Sequence, residues 1–498
     1  MDYLSPLDAS FLDAEDQDPH ASLAICSVAV LDGPPPGQDE FAAMIRGRLP
    51  LVPRYRQRVH RIPFNLGRPV WVDDPDFDLD LHLRRTALPA PGGDAELANL
   101  VGRVMSQRLD REHPLWEDWI IEGLPDGRWA LLSKVHHCMV DGVSGSELYR
   151  LICDTSPTPR PPVPDDWEPA RGADTLDLTL DALGRLARFP FDQARIMLGA
   201  VRDAAQTGRL AGGLSSLAGA FLPVGPTALR GPLGRARRYA VARMPLADVI
   251  TTAHAYEVTV NDVYLAAVSG ALRRLLQARG EDPAEHPLRT LVPVSTRTRD
   301  QEGVLDNRVA SLLVLLPVEI DDPVERLRAV HERILALRAA HEAEAAAGLA
   351  ELADREPYAA VSLIIRGALL VPQQAITAVT TNVPGPRERL YILGRPVREI
   401  LPYVPIGERL RIGVAAFTYA GQAAFGVTTD FASVPEASAI AEDLAAELAA
   451  LHSTAPHGTA QHRTAQHSTA RPAAPATAVP ASRRRKAATP RRASVATS

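Results

Sequence analysis

The sequence predicts a mixed α/β or α+β protein built from two domains. Short apolar runs typical of strands alternate with amphipathic helical segments, without the strict repetition of a parallel βαβ array. A chain of 498 residues is too long for one ordinary hydrophobic core, and 46% hydrophobic residues are enough to fill two. Residues 157–164 hold five prolines, which indicates an exposed linker between the domains.

The first domain is predicted over residues 1–155. Its hydrophobic patterns indicate strands at 21–31, 70–72 and 129–135 and helices at 41–49 and 95–109. Residues 156–232 are predicted as the proline-rich linker followed by a basic amphipathic helical crossover. This stretch either packs against the body of the protein or meets a lipid surface.

The second domain is predicted over residues 233–452. An edge strand is expected from Arg237, with further strands at 289–294 and 312–317. Helices are expected to begin at Thr259, an N-cap candidate, at Asp322-Pro323, and at Val434-Pro435.

The last 46 residues, 453–498, differ in composition from the rest of the chain. This tail carries a charge of +8 and no acidic residue, so with a net charge of −6 for the whole chain the body carries −14. Its Ala, Thr, Pro and Arg content predicts a disordered, solvated segment. Contact with anionic lipid is an alternative, and no specific nucleic acid partner is expected.

Cysteine usage and the N-terminus both predict a cytoplasmic protein. Cys26, Cys138 and Cys153 show no paired spacing, which favours a reducing compartment over a disulfide framework. The first twenty residues are too acidic for a secretory signal, and Arg366 interrupts the longest apolar stretch, so no membrane-spanning helix is expected.

The segment with the clearest chemistry is His136-His137-Cys138-Met139-Val140-Asp141-Gly142. It follows the strand predicted at 129–135, and Ser144 with Glu147 forms a capping box that predicts a helix directly after it. Two adjacent side chains do not easily face one cavity. We therefore expect His137 to face substrate and His136 to be packed or hydrogen-bonded behind it.

An imidazole in such a loop can remove a proton from a hydroxyl nucleophile and deliver it to a leaving group. Asp141 can orient an imidazole or anchor the loop through an arginine, for which Arg297 and Arg238 are candidates, and Gly142 allows the chain to turn. The same residues could be metal ligands, but no second cluster at a metal-like spacing accompanies them. No metal is predicted.

The His136-His137-x-x-x-Asp141-Gly142 pattern resembles the active-site motif of acyltransferases related to chloramphenicol acetyltransferase, which include the condensation domains of nonribosomal peptide synthesis. Over about residues 1–452 the chain resembles the bacterial wax ester synthase/diacylglycerol acyltransferase family. The matching segments are Leu4 to Phe11, Pro114-Leu115-Trp116, Val260-Asn261-Asp262-Val263 and Asn382-Val383-Pro384-Gly385-Pro386.

This resemblance implies two similar acyltransferase lobes with mixed sheets around a central substrate tunnel. It implies transfer of a long-chain acyl group from acyl-CoA, a co-substrate rather than a cofactor, to diacylglycerol or to a fatty alcohol. His137 would be the base and Asn261 an oxyanion donor, while Asp262 would hold the fold. Asn382 would line the site, and Trp116 is a further candidate for substrate contact. From the residues alone, Asn261 and Asp262 could equally be helix-capping residues, and residues 382–386 are first of all a predicted type II turn.

Two other functions remain open at the level of sequence. One is a related acyltransferase with another hydroxyl acceptor or a carrier-bound donor. The other is a non-catalytic lipid-binding protein, which would use the amphipathic crossover and the basic tail at a membrane or lipid-droplet surface.

Overall fold

A computed structural model gives the fold of the chain and describes residues 2–63, 66–139, 152–170, 179–180, 183, 225, 227–295, 309–344, 374–407 and 409–456. Residues Met1–Pro456 form one compact unit. The predicted amphipathic crossover lies almost wholly outside the described residues, and so does the predicted tail from position 457 onwards.

The first sheet has six strands in the order β12-β13-β2-β7-β6-β5. Its strands are β2 Ala24–Leu31, β5 Leu83–Ala87, β6 Trp116–Glu122, β7 Trp129–His136, β12 Tyr391–Ile392 and β13 Arg395–Tyr403. β5 pairs parallel to β6, and the other neighbours are antiparallel. The sheet is therefore mixed, as predicted.

The second sheet also has six strands, in the order β10-β9-β11-β14-β15-β8. They are β8 Arg237–Pro245, β9 Leu288–Ser295, β10 Val309–Leu316, β11 Ala378–Pro384, β14 Ile412–Tyr419 and β15 Gln422–Asp430. β11 runs parallel to both of its neighbours, and the other pairs are antiparallel. A small third sheet joins β1 Asp2–Tyr3, β4 Val70–Asp73 and β3 Gln57–His60.

The helices that cover these sheets are α1 Pro6–Gln17, α2 Gln38–Arg46, α3 Asp94–Met105, α4 Leu246–Ala255, α5 Val260–Ala278, α6 Pro323–Glu344 and α7 Ala437–Ser453. Within the described residues, the predicted helices and strands are confirmed in type, with boundaries shifted by a few residues at most, except that α6 extends seven residues past the predicted end at 337. β8 is an edge strand, as predicted. None of the described helices combines the length and the apolar character needed to cross a membrane.

α5 is the central helix of the second half because it is buried along most of its length. It packs with α6 and α7 against the second sheet. Thr259 caps α5: its side chain accepts from the Asp262 N–H at 3.2 Å, and the Asp262 carboxylate accepts from the Thr259 N–H at 2.9 Å. The capping role predicted for Thr259 is confirmed.

The two halves of the chain share their sheets. β13 comes from the second half but pairs with β2 in the first sheet, and α3 from the first half packs on β8. The sheets approach each other at Gly426 of β15, where an added Cβ would stand 1.8 Å from the Pro402 carbonyl oxygen of β13. The Tyr239 hydroxyl donates to the same oxygen at 2.7 Å. The domain boundaries proposed from the sequence stay predictions.

Candidate active site

The two histidines lie at the C-terminal end of strand β7, an interior strand of the first sheet. It ends at His136, and a short 3₁₀ turn over His137–Met139 follows. The His137 N–H donates to the Leu23 carbonyl at 3.1 Å, which fixes the start of this turn. Asp141, Gly142 and the helix predicted after Ser144 lie outside the described residues.

His136 is buried, with 2% of its surface exposed, and both ring nitrogens face protein groups. Nδ1 accepts from the Cys138 N–H at 3.1 Å. Nε2 lies 3.4 Å from a carboxylate oxygen of Glu15. Because Nδ1 is an acceptor, a neutral ring carries its proton on Nε2 and points it at that carboxylate. His136 therefore lies behind the loop and is held by its neighbours.

Glu15 is a site residue that the sequence reasoning missed. The acidic character of the N-terminus predicts the absence of a secretory signal, but it does not single out Glu15. Glu15 is buried, accepts from the Leu23 N–H at 2.6 Å, and pairs with Arg111 at 2.9 Å. Burial raises the pKa of the Glu15 carboxyl, but His136, the Leu23 amide and Arg111 outweigh burial and lower the pKa to about 2. It is a carboxylate at every physiological pH.

The ring of His137 stacks on Phe11, with ring centroids 4.0 Å apart and an interplanar angle of 25°. Burial, joined by the charge of His136, lowers the pKa of His137 to about 4, although its own backbone carbonyl acts in the opposite direction. The buried Nδ1 has no hydrogen-bond partner of normal geometry among the described residues. His137 is therefore neutral at pH 7, the state that a general base requires.

Helix α1 supplies both contacts, since Phe11 and Glu15 lie one turn apart on it. Ser5 caps the helix by accepting from the Asp8 N–H at 3.1 Å, and Pro6 occupies its first turn. Two arginines that follow α3 hold the other end: Arg108 donates to the carbonyls of Glu15, Asp18 and Ala21, and Arg111 binds Glu15 and Asp16. The helical spacing of Phe11 and Glu15 was the available signal in the sequence, but it did not reveal which loop they meet.

Trp116 is packed in the core of the first half, with 1% of its surface exposed. Its indole N–H donates to the Tyr55 carbonyl at 2.9 Å, and its ring stacks on Tyr55 and His82 at 4.6 and 4.4 Å. These contacts give Trp116 a packing role. Its predicted contact with substrate stays a prediction.

Asn261 and Asp262 occupy the first turn of α5. Asp262 is buried, and beyond its capping bond it lies 2.8 Å from Nδ1 of His331 on α6. Asp262 thus links two helices, which is the structural role that the sequence allowed. Asn261 is half-buried beside it. Its predicted bond to an oxyanion stays a prediction.

Asn382 lies in β11, opposite Ala416 of β14. The type II turn predicted at Pro384-Gly385 is wrong, because Gly385 does not adopt the positive φ that such a turn requires. The structure gives another reason for glycine: an added Cβ would stand 2.2 Å from the Thr418 carbonyl oxygen and 2.5 Å from the Phe417 ring. The residue is small because β14 passes close by.

The arginine partner predicted for Asp141 stays a prediction, because Asp141 lies outside the described residues. Arg297 lies outside the described residues, and Arg238 lies over the Phe431 ring at 3.9 Å while its Nε donates to the Phe431 carbonyl at 3.0 Å.

All three cysteines are buried and free. Among the described residues, no three His, Cys, Asp or Glu side chains are grouped so that they could hold a metal ion.

Solved structures that superpose on this fold include an acyltransferase and a condensation domain. A wax ester synthase/diacylglycerol acyltransferase from Marinobacter aquaeolei VT8 superposes with a TM-score of 0.63 at 27% identity, over 91% of this chain and 99% of that one. The first condensation domain of the CDA synthetase superposes with a TM-score of 0.54 at 15% identity, over 90% and 97% of the two chains. The second likeness shows a shared fold.

Sequence relatives agree with this result. A Mycobacterium tuberculosis H37Rv protein named "probable diacylglycerol O-acyltransferase tgs1" is 40% identical over 454 residues, which cover 91% of this chain and 96% of the relative. The family model described as "Wax ester synthase/diacylglycerol acyltransferase catalytic domain" matches residues 4–264, and the WS/DGAT C-terminal domain matches residues 305–452. The chain thus belongs to the wax ester synthase/diacylglycerol acyltransferase family.

Proposed function

We propose that this protein transfers a long-chain fatty acyl group from acyl-CoA to diacylglycerol and so forms triacylglycerol. The observation that carries the proposal is the state of His137: its ring is kept neutral by burial and stacked on Phe11, at the end of a rigid strand. The acceptor is inferred from the name of the M. tuberculosis relative at 40% identity. Long-chain alcohols are proposed as a second acceptor, which would yield wax esters.

The reaction is proposed as one direct transfer. His137 removes the proton from the acceptor hydroxyl as the oxygen attacks the thioester carbonyl, which leaves an imidazolium beside a tetrahedral oxyanion. The tetrahedral oxyanion then collapses, the C–S bond breaks, and the imidazolium gives its proton to the CoA sulfur. The ester and free CoA leave, and the base is neutral again.

The surrounding groups position this chemistry. Glu15 holds His136, and Phe11 fixes the plane of the His137 ring. Asn261 is proposed to donate to the oxyanion, and Asp141 with Gly142 is proposed to shape the loop. A tunnel between the two sheets would admit donor and acceptor and exclude the water that hydrolyses thioesters.

The test measures acyl transfer from radiolabelled palmitoyl-CoA to dioleoylglycerol and, separately, to hexadecanol. The wild type is expected to form triacylglycerol, and His137→Ala to lose about 100-fold or more of the rate because the general base is missing. His113→Ala is the matched control, since the His113 side chain is 35% exposed and lies 3.7 Å from Asp74, away from the His137 ring stack. A His137→Ala variant as active as this control would exclude His137 as the base, and ester formation from hexadecanol alone would exclude the diacylglycerol acceptor.

We propose further that the protein works in the cytoplasm at a membrane or lipid-droplet surface, where its acceptor dissolves. The +8 charge of residues 453–498 supports attraction to anionic lipid. Flotation with phosphatidylglycerol vesicles is expected to recover the full chain and less of a chain ending at Pro456. Equal recovery of the two chains would contradict a role for the tail.

A further inference from the structure

Lys134 is a buried charged residue that the proposed reaction does not use. It lies on β7, two residues before His136, and 1% of its surface is exposed. Because alternate residues of a strand point to one face, Lys134 and His136 share a face of the first sheet. Of the 54 lysine and arginine residues of the chain, only Lys134 and Lys486 are lysines. A lysine at this buried position therefore calls for a physical explanation.

The ammonium group of Lys134 holds the C-terminal end of α3. Its Nζ donates to the Val104 carbonyl at 3.0 Å and to the Gln107 carbonyl at 2.7 Å. Val104 lies in the last turn of α3, where carbonyls lack helical partners and a cation is favoured. The Gln107 carbonyl also accepts from the Ser22 hydroxyl at 3.1 Å. These bonds join β7 to the segment that follows α3.

Packing alone does not explain an ammonium group at this position. Burial lowers the pKa of Lys134, although the charges of Glu117 and Glu15 act in the opposite direction. A buried cation is costly unless hydrogen bonds offset the loss of water. The neighbouring positions on the same face of β7, Ala130 and Leu132, are apolar. The distinctive contribution of Lys134 is therefore its two bonds to the carbonyls at the end of α3.

The segment that Lys134 fixes carries the two arginines that hold α1. Arg108 comes directly after Gln107, and its guanidinium donates to three carbonyls, those of Glu15, Asp18 and Ala21. Arg111 donates to the Glu15 carboxylate at 2.9 Å. The position of α1 thus depends on a segment that is itself bound to β7.

These contacts form a closed path that begins and ends on β7. On α1, the Glu15 carboxylate lies 3.4 Å from Nε2 of His136, and the Phe11 ring stacks on His137 at 4.0 Å. Both contacts come from one helix, so a shift of α1 would change the surroundings of both histidines. Lys134 lies at the start of this path and the two histidines lie at its end.

We propose that Lys134 is a positioning residue of the active site, which fixes the end of α3 so that α1 meets the two histidines. Arg108 and Arg111 carry this effect from the end of α3 to α1. In this role Lys134 acts through the two helices and does not touch substrate. The inference rests on the proposed function for the reaction in which the positioning is measured.

The first test measures the position of α1 without turnover. Lys134→Met keeps the length of the side chain and removes the ammonium group. Lys134→Gln, which retains an N–H donor, takes its place where the methionine variant does not fold. Amide hydrogen exchange in α1 is expected to be about tenfold faster than in wild type, and so is labelling of the buried His136 by diethyl pyrocarbonate. Ile440→Ala is the matched control, because Ile440 is buried in α7, outside this path, and its truncation lowers stability.

The second test measures the effect on acyl transfer. For the Lys134 variant kcat is expected to fall about tenfold or more, because the base is misplaced, while the KM for palmitoyl-CoA is unchanged. The midpoint of the pH profile of kcat/KM should move from about 4 towards 6.5, since His137 is less well covered by Phe11. Ile440→Ala should leave kcat and this midpoint at their wild-type values.

Exchange in α1 and labelling of His136 at wild-type rates in the Lys134 variant would overturn the proposal. The same changes in Ile440→Ala would also overturn it, because they would report a general loss of stability. A higher KM with unchanged kcat would overturn it as well, since Lys134 would then act on substrate binding. The first test needs no turnover: faster exchange and labelling in a protein that transfers no acyl group would keep this inference and reject the proposed function.

Discussion

Two neighbouring histidines of one motif have different environments, and this difference arises at the level of single residues. His136 is held between Glu15 and the Cys138 amide, whereas His137 stacks on Phe11 and is kept neutral. The division falls at the end of β7, because His136 is the last residue of the strand and His137 is the first residue of the 3₁₀ turn that follows. One ring is thus available as a base, and the other is part of its support.

The lowered pKa of His137 predicts an unusual pH profile. The base is lost only when the ring is protonated, and burial moves that step from the ordinary 6.5 down to about 4. We expect kcat/KM for acyl transfer to stay flat between pH 8 and about 5.5, and to fall about tenfold per pH unit below about 4. Initial rates across this range, with circular dichroism at each pH to verify folding, provide the measurement. A midpoint near 6.5 would mean that His137 is hydrated in the working enzyme.

Glu15→Gln should lower both stability and turnover. The Glu15 pKa falls from 4.5 to about 2 on folding, so its contribution is present above pH 4.5 and is lost as the pH drops towards 2. At pH 7 that contribution is at most about 3 kcal/mol. Loss of the carboxylate also frees His136, and we expect kcat to fall about tenfold or more.

Urea unfolding of both proteins between pH 2 and 7 tests this expectation. The wild type should lose stability steeply between pH 4.5 and 2, and Glu15→Gln should show a flatter curve there. Glu112→Gln is the control, because Glu112 is 86% exposed and 4.0 Å from Arg58. Parallel curves for wild type and Glu15→Gln would show that the carboxylate is not held as described.

At the level of elements, local signals in the sequence identified most helices and strands correctly. The N-cap predicted at Thr259 marked the start of α5, and the inward positions of α7 followed a helical period: Ile440, Leu444, Leu448 and Leu451 are all buried. The prediction of a turn at Pro384-Gly385 was wrong because the glycine is required by the close approach of β14 and not by a turn. No local sequence signal reports a contact with a distant strand.

The cap of α5 gives a prediction at this scale. Thr259→Ala should lower the free energy of unfolding by about 1 kcal/mol, because the Asp262 N–H loses its side-chain acceptor. Thr259→Ser keeps the hydroxyl and should remain close to wild type. Chemical denaturation of the two variants is the measurement, and an alanine variant as stable as the serine variant would show that the cap contributes nothing.

On the scale of the whole molecule, the two sheets approach each other most tightly at a glycine for which a larger side chain has no space. Gly426 lies in the second sheet with no room for a side chain beside Pro402 of the first sheet. Gly426→Ala should cost about 3 kcal/mol or more, because the clash is with backbone that cannot move alone. Acyl transfer should fall with it, since the sheets carry the two halves of the proposed site.

Gly37→Ala is the matched control for that experiment. Gly37 has φ of −63° and nothing within 4 Å of an added Cβ, so the same substitution should be tolerated there. Yield, melting and acyl transfer of the two variants are compared. A Gly426→Ala protein with the same melting temperature as Gly37→Ala would mean that the sheets can move apart at this point at no cost in stability.

The sequence by itself determined the mixed α/β class, the position of most helices and strands, the α5 cap and the histidine motif. These properties depend on residues within about one turn or one strand of each other, where hydrophobic period and capping chemistry act directly. Only the tertiary structure brought Glu15 to His136, placed β13 in the first sheet, and joined Arg230 to Leu410 in a β-bridge. Such contacts join residues more than a hundred positions apart, and they are decided by which apolar faces are buried together, a property that no local pattern encodes.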